Sequence, residues 1–223
     1  MFWDNEYAAK KRLWGEGPSE LAIAAVAYLK KCMPNDAIRT ILDIGCGYGR
    51  DAFYLLDNLR CRILGIDISE NAIAIASSTA LEKQYKNVDF QCRDFKELDE
   101  STYDIVFLSN FYQLLERMDR EELRRTVLRK LRPNGLLFVS TLSVNDPEHW
   151  GKDNPVPKES NSFHGQVYLH LCTREELLED FSFLNIKDLY EHEYDEPRAT
   201  GEVHHHISWI LIGESAGASL QTE

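Results

Sequence analysis

The stretch LDIGCGYGRDAFYL, Leu42–Leu55, places three glycines at alternate positions between an apolar strand pattern and an apolar helix pattern. The strand pattern ends at Ile44, just after a charged Asp43, and the helix pattern begins near Arg50. Glycines at such a junction let the backbone turn sharply and let a ligand approach the unpaired N–H groups of the helix N-terminus. The stretch therefore predicts a strand–loop–helix unit that binds a carboxylate, a phosphate or a ribose at the strand end.

Strand and helix patterns alternate on both sides of this unit. Short β-rich or apolar runs alternate with amphipathic runs; the strand-like ones are Thr40–Ile44, Arg62–Ile66, Val88–Cys92, Tyr103–Ser109 and Leu136–Leu142. Such alternation is typical of a parallel sheet with crossover helices. Two further strand-like runs, Ile186–Tyr194 and Val203–Ile212, predict an antiparallel pair at the sheet edge. The expected fold class is α/β, a Rossmann-like doubly wound sheet that is mostly parallel with an antiparallel last strand.

Composition excludes several classes of partner. The chain of 223 residues carries 25 Lys and Arg against 37 Asp and Glu, a formal net charge of −12. It lacks the basic surface that nucleic-acid binding requires, so no nucleic-acid partner is expected. The apolar run Leu21–Leu29 is far shorter than the roughly 20 residues of a bilayer span, which predicts a buried helix and no membrane association. Five cysteines without a CxxC pair favour free thiols and a cytoplasmic location.

The glycine spacing distinguishes between two kinds of nucleotide site. The dinucleotide fingerprint GxGxxG needs a glycine at position 50, where this chain has Arg50. The observed GxGxG after Asp43 resembles the first motif of class I S-adenosylmethionine (SAM) dependent methyltransferases. The later motifs of that family are similar to the following strand ends, GIDIS, CRDF and YDIVFLSNFYQLL, and to the run LRPNGLLFVST. The resemblance covers roughly residues 38–142.

The resemblance implies a set of cofactor contacts. Asp67 would accept hydrogen bonds from the ribose hydroxyls, Asp94 would read the adenine amino group, Phe95 would pack on the ring, and Asp43 would lie near the methionine amino group. The residues expected to bind SAM, and its product S-adenosylhomocysteine, are Asp43, Gly45, Cys46, Gly47, Gly49, Arg50, Asp67, Ile68, Asp94, Phe95, Ser109 and Asn110. The alternatives are a tight turn without a ligand for the glycines and a helix-capping role for Asp67.

The chain also resembles, more loosely, the tellurite-resistance and thiopurine-type small-molecule methyltransferases. The similarity lies in overall size, in an aromatic N-terminal segment and in a histidine-containing last strand. It departs from the tellurite-type pattern where that has arginines near the histidine, because only Arg198 is close here. The implied organisation is a single SAM-dependent methyltransferase domain over 1–213 with a flexible tail, 214–223. Its parts are an N-terminal aromatic segment and helix, 1–33, a cofactor-binding core, 38–142, and a substrate-side loop and edge hairpin, 143–213.

The acceptor-side candidates are Trp14, Tyr112, His164 and His204. Trp14 is interpreted either as part of a lid or as an aromatic staple on the sheet edge, and Tyr112 either as an acceptor wall or as core. In a strand, His204 and His206 share one face. They could act as a general base, could bind a metal with His192 or Glu193, or could simply be polar residues of an edge strand; no metal is assigned.

The sequence thus predicts a SAM-dependent methyltransferase that transfers a methyl group by in-line displacement to a small-molecule acceptor with a thiol, chalcogen or nitrogen nucleophile. One alternative is a protein or RNA acceptor. The other is a non-catalytic domain that binds SAM as a sensor, because this chemistry needs no universal catalytic side chain. Neither the acceptor nor the oligomeric state follows from the sequence.

Overall fold

A seven-stranded sheet organises the molecule, of which a computed structural model describes residues 2–32, 37–197 and 203–217. The strand order is β3-β2-β1-β4-β5-β10-β9. The first five strands of this sheet along the chain are parallel, and their bounds are β1 Arg39–Ile44, β2 Cys61–Asp67, β3 Val88–Cys92, β4 Tyr103–Ser109 and β5 Leu131–Leu142. The last two, β9 Leu184–Pro197 and β10 Val203–Ser215, are antiparallel to each other, and β10 is antiparallel to β5. The expected fold class is confirmed.

Helices cover both faces of the sheet. One core contains side chains of α2 Glu20–Cys32, α3 Arg50–Asn58 and α4 Glu70–Glu82. The opposite core contains side chains of α5 Arg117–Lys130 and α6 Arg174–Asp180. A further helix, α1 Phe2–Lys10, packs against α4. Because apolar side chains are buried on both faces, the inner strands read as nearly continuous apolar runs.

The sequence predicts helix N-caps at Ser19 and Ser69 and a capping box from the spacing of Asp119 and Glu122, and the structure contains the first two only. Ser19 and Ser69 accept hydrogen bonds from the N–H groups of Ala22 and Ala72, at 3.2 and 3.1 Å. The capping box expected at Asp119 is wrong, because α5 begins at Arg117, two residues earlier. The Asp119 carboxylate instead pairs with Lys96 Nζ at 2.6 Å.

Residues 143–170, expected to be an irregular loop, form a small three-stranded sheet. Its strands are β6 Asn154–Pro155, β7 Ser162–His164 and β8 Tyr168–His170. Strands of two or three residues are too short for a hydrophobic period to show in the sequence. Their apolar side chains, among them Phe163 and Leu169, are buried against Leu142.

The C-terminal boundary differs slightly from the expected one. The tail was expected to begin at 214, yet β10 continues through Ser215, whose Oγ donates to the Arg132 carbonyl at 2.5 Å. The rest of that tail, from 218, and most of the expected turn between the last two strands, 198–202, lie outside the described residues. All five cysteines are free thiols, as expected. Within the described ranges, no helix combines the length and apolar character that crossing a bilayer requires.

Candidate functional site

A cavity of about 350 Å³ opens at the carboxyl ends of β1, β2 and β4. In an open α/β sheet this is where ligands bind, because the strand order reverses there and leaves a crevice. Most of the residues expected to bind SAM line it, namely Asp43, Gly45, Cys46, Gly47, Arg50, Asp67, Ile68, Asp94, Phe95, Ser109 and Asn110. The exception is Gly49, which does not line the cavity. Its φ is 81°, and an added Cβ would point into the core and lie 2.8 Å from Phe90 Cζ.

The glycine loop and Asp67 hold each other in place. Gly47 N–H donates to Asp67 Oδ2 at 2.9 Å, and Ser69 N–H donates to Asp67 Oδ1 at 2.9 Å. Burial raises the pKa of Asp67, while these backbone hydrogen bonds oppose that rise. Gly47 has a φ of 54°, and a Cβ there would lie 2.8 Å from the Tyr7 hydroxyl. The loop thus keeps a narrow space that only a glycine leaves open.

Asp43 is a buried acid whose side chain lacks a full set of hydrogen bonds in the described part of the chain. It is 2% exposed, and its Oδ2 atom has no hydrogen-bond partner among the described residues. Burial, together with the charges of Asp51 and Asp67, raises its pKa well above the ordinary value. A buried carboxylate oxygen without a donor is costly unless a ligand supplies one. The expected contact with the amino group of a bound methionine moiety fits this site.

The other strand ends supply an apolar wall and short polar side chains. Phe95 is buried and meets Phe111 edge-to-face with ring centroids 6.0 Å apart. Asp94 caps the short turn Phe95–Glu97 by accepting from Lys96 N–H at 2.9 Å. Asn110 adopts a positive φ of 52°. Its backbone N–H donates to the carbonyl and hydroxyl oxygens of Ser140, each at 3.1 Å. The cavity can therefore hold a flat ring at one end and polar groups in the middle.

Residues 2–19, here called the N-terminal arm, cover the cofactor side of the cavity. Asp4 Oδ1 accepts from Ser69 Oγ at 2.8 Å and from Asn71 N–H at 3.0 Å. Tyr48 Oη donates to the Gly15 carbonyl at 2.7 Å, and Arg50 Nη1 donates to the Trp14 carbonyl at 2.6 Å. The arm also contributes Trp3, Tyr7 and Trp14 to the cavity wall. The N-terminal arm therefore packs against the rest of the fold and also forms part of the cavity wall.

The opposite end of the cavity contains a cluster of Asp146, His149 and His206, of which sequence reasoning identified His206 alone. His149 Nδ1 lies 2.9 Å from Asp146 Oδ1, and His206 Nδ1 lies 3.2 Å from Asp146 Oδ2. The two imidazole rings stack with centroids 5.3 Å apart, and His206 Nε2 lies 3.6 Å from Glu196 Oε2. Burial lowers the pKa of His206, but the Asp146 and Glu196 carboxylates, which accept from the protonated ring, outweigh it and raise that pKa to about 9. A DPEH run inside a proline-rich loop was the available signal, but its partner lies 57 residues further on, in β10.

Three of the acceptor-side candidates do not line the cavity. His204 lies two residues before His206 on β10, and the two rings stack with centroids 6.1 Å apart. His206, and not His204, lines the cavity. Tyr112 is fully buried in the core below β4 and hydrogen-bonds with Asp180 and Arg124. His164 is exposed on β7, where its ring contacts the Gly165 carbonyl. Of the four candidates, only Trp14 reaches the cavity.

Comparisons with known proteins agree with this geometry. A family model described as a methyltransferase domain matches residues 35–196. Phosphoethanolamine N-methyltransferase 1 of Triticum aestivum is 31% identical over 102 residues, 45% of this chain and 20% of that protein, so the match spans about a fifth of that relative's length.

Two solved structures show the same fold. TehB from Haemophilus influenzae superposes with a TM-score of 0.65 at 17% identity, covering 96% of this chain and 67% of that one. The 1,6-didemethyltoxoflavin-N1-methyltransferase of Burkholderia thailandensis has a TM-score of 0.66 at 18% identity, covering 95% of this chain and 84% of that one, and its structure holds S-adenosylhomocysteine. The expected fold and cofactor are confirmed, and because the family match covers most of the chain, this protein belongs to the SAM-dependent methyltransferase family.

Proposed function

We propose that this chain transfers the methyl group of SAM to a small-molecule acceptor with a thiol, chalcogen or nitrogen nucleophile. The observation that carries the proposal is the single cavity that joins the expected cofactor residues to a second, mainly apolar end. That end is formed by Leu114, Leu142, Val167 and Leu169. Pockets of this size and composition are typical of small-molecule sites.

The acceptor end is walled by separate parts of the fold. The β7–β8 turn and β8 supply Val167 and Leu169 on one side, and β9 and β10 supply Tyr194 and His206 on another. Gln113 and His149 add polar groups to an otherwise apolar lining. A compact molecule with an apolar body and one or two polar atoms suits this wall better than a flexible polymer does.

The side chains of this protein have binding and positioning roles. Asp43 would accept hydrogen bonds from the methionine amino group, Asp67 would hold the ribose, and Phe95 would pack on the adenine. When bound, SAM supplies an electrophilic methyl group, and the electron pair of the broken carbon–sulfur bond stays on sulfur as the new bond to the nucleophile forms. Any proton on the nucleophile passes to water. The chain contributes chiefly alignment of the reactants and exclusion of water, which suffice for this displacement.

The test begins with titration calorimetry using SAM, S-adenosylhomocysteine and, as a control, NAD. We expect micromolar binding of the two sulfur cofactors and none of NAD, because Arg50 occupies the third glycine position of a dinucleotide site. A screen of acceptors, starting with thiols and followed by mass spectrometry, then identifies methylated products. Binding of NAD without the sulfur cofactors would overturn the proposal, and SAM binding with transfer only to proteins would replace its acceptor class.

A further inference from the structure

The cluster at the far end of the cavity brings together three ligands that suit a transition metal. Asp146, His149 and His206 each offer one ligand atom, and these atoms all lie within 4.8 Å of one another. They come from two distant parts of the chain, the loop after β5 and the strand β10. From these contacts we infer that this protein binds a divalent transition-metal ion through Asp146, His149 and His206, at the acceptor end of the cavity.

The distances already match a shared ion. Two ligand atoms each about 2.1 Å from one metal, at tetrahedral or octahedral angles, lie about 3.0–3.4 Å apart. Asp146 Oδ1 and Oδ2 lie 2.9 and 3.2 Å from the Nδ1 atoms of His149 and His206. Little movement is therefore needed to exchange the two ring protons for one cation.

The surroundings fit a bound ion as well. Asp146 is fully buried and is anchored by the N–H group of Ile207 at 2.9 Å and that of Glu148 at 3.0 Å, so its carboxylate is held rigidly. Glu196 lies 3.6 Å from the remote Nε2 of His206. Metal-binding histidines usually donate their other ring N–H to a carboxylate, and Glu196 is close enough to accept it after a small movement of its side chain. Two imidazoles and one carboxylate are a donor set for zinc, iron(II) or cobalt(II), whereas magnesium and calcium prefer oxygen ligands alone.

The ion would have coordination positions facing the cavity. His149 and His206 line the cavity, whereas Asp146 lies behind them. Three protein ligands leave at least one position open, as in catalytic metal sites. The role of this ion, though not its binding, rests on the proposed function: it would hold the nucleophilic atom of the acceptor and lower its pKa. The acceptor proton is then released to water when the acceptor binds to the ion.

The test uses cobalt(II) chloride with the chelator-treated full chain, in the absence of any methyl donor. We expect one equivalent of cobalt to bind, to give visible d–d absorption bands, and to be displaced by zinc. His149→Gln and His206→Gln each remove a ligand and should weaken cobalt binding by more than the roughly 10–100-fold that the loss of an outer-shell partner costs. His149 is partly exposed on a loop, so its variant is expected to fold even if a buried variant does not.

The matched control is His205→Gln, the neighbouring residue on β10, which is exposed and pairs with Asp195 at 3.0 Å. It should bind cobalt as the unmodified chain does. Absence of one-to-one cobalt or zinc binding would overturn the inference, as would equal binding by the His149, His206 and His205 variants. Binding of S-adenosylhomocysteine is titrated separately. Absence of S-adenosylhomocysteine binding in a chain that binds cobalt would contradict the proposed function but not the inferred metal site.

Discussion

Asp67 shows how one side chain can serve both the loop and a ligand. Its two oxygens accept from the N–H groups of Gly47 and Ser69, and it still lines the cavity. Each carboxylate oxygen has a further lone pair that a ribose hydroxyl can use. The fold therefore positions this acid before a cofactor arrives.

Asp67→Ala should weaken SAM binding by about 1–3 kcal/mol, the usual scale for lost charge-assisted hydrogen bonds. Titration calorimetry with SAM measures this change. Asp89→Ala is the control, because Asp89 is exposed on β3 and does not line the cavity. Unchanged affinity in the Asp67 variant would remove this residue from the ribose site.

Asp43 predicts a pH-dependent effect on stability. Its pKa in the folded chain lies well above the ordinary value of 3.8, so the folded state holds this proton more tightly than the unfolded state does. The stability associated with the neutral carboxyl is present below the unfolded pKa and is lost as pH rises through the folded pKa. A side chain that cannot ionise escapes this loss.

Asp43→Asn should therefore stabilise the unliganded protein increasingly as pH rises from about 4, reaching about 1–3 kcal/mol, the usual cost of an unpaired buried polar group. Melting temperatures of both proteins across this range measure the difference. A difference that stays constant with pH would show that the pKa of Asp43 is the same in the folded and unfolded chains, which would contradict the raised pKa of this residue.

At the scale of elements, the N-terminal arm depends on a few hydrogen bonds to the glycine loop. Tyr48 Oη donates to the Gly15 carbonyl and accepts from the Trp14 N–H at 3.2 Å. Tyr48→Phe should cost about 1 kcal/mol of local stability. Trypsin cleavage at Lys10, Lys11 and Arg12 should then become several-fold faster.

The control for the arm is Tyr85→Phe, whose hydroxyl instead donates to Asp57 on the surface at 2.5 Å. Its cleavage at the arm should match that of the unmodified chain. If the Tyr48 and Tyr85 variants were cleaved at equal rates, these hydrogen bonds would not hold the arm on the cavity.

At the scale of the whole molecule, ligand binding at the junction of the arm, the central sheet and the last two strands should stabilise the folded state. At a free concentration of about 100 times Kd, S-adenosylhomocysteine should add about 2.7 kcal/mol, which raises the melting temperature by about 5–10 °C for a chain of this size. Differential scanning fluorimetry measures the shift, with NAD as the control. A similar shift with NAD would contradict the assigned cofactor class.

Whole-molecule packing also limits what sequence reasoning could reach. Local signals were sufficient for the alternating elements, for the glycine loop and for the caps at Ser19 and Ser69. They failed at the capping box of Asp119, whose carboxylate is paired with Lys96 from a separate turn. They also failed at the small sheet, because strands this short carry no readable period.

The sequence by itself determined the central sheet, the strand ends that carry Asp43, Asp67 and Asp94, and the family, because each depends on residues close together in the chain. Only the tertiary structure decided which acceptor-side residues face the cavity. Tyr112 is directed into the core by its partners on α5 and α6, and His206 rather than His204 meets the loop after β5. The physical reason is that the contacts of Tyr112 with Asp180 and of His206 with Asp146 join residues 68 and 60 positions apart. No local periodicity records which of two neighbouring side chains on one strand face reaches such a partner.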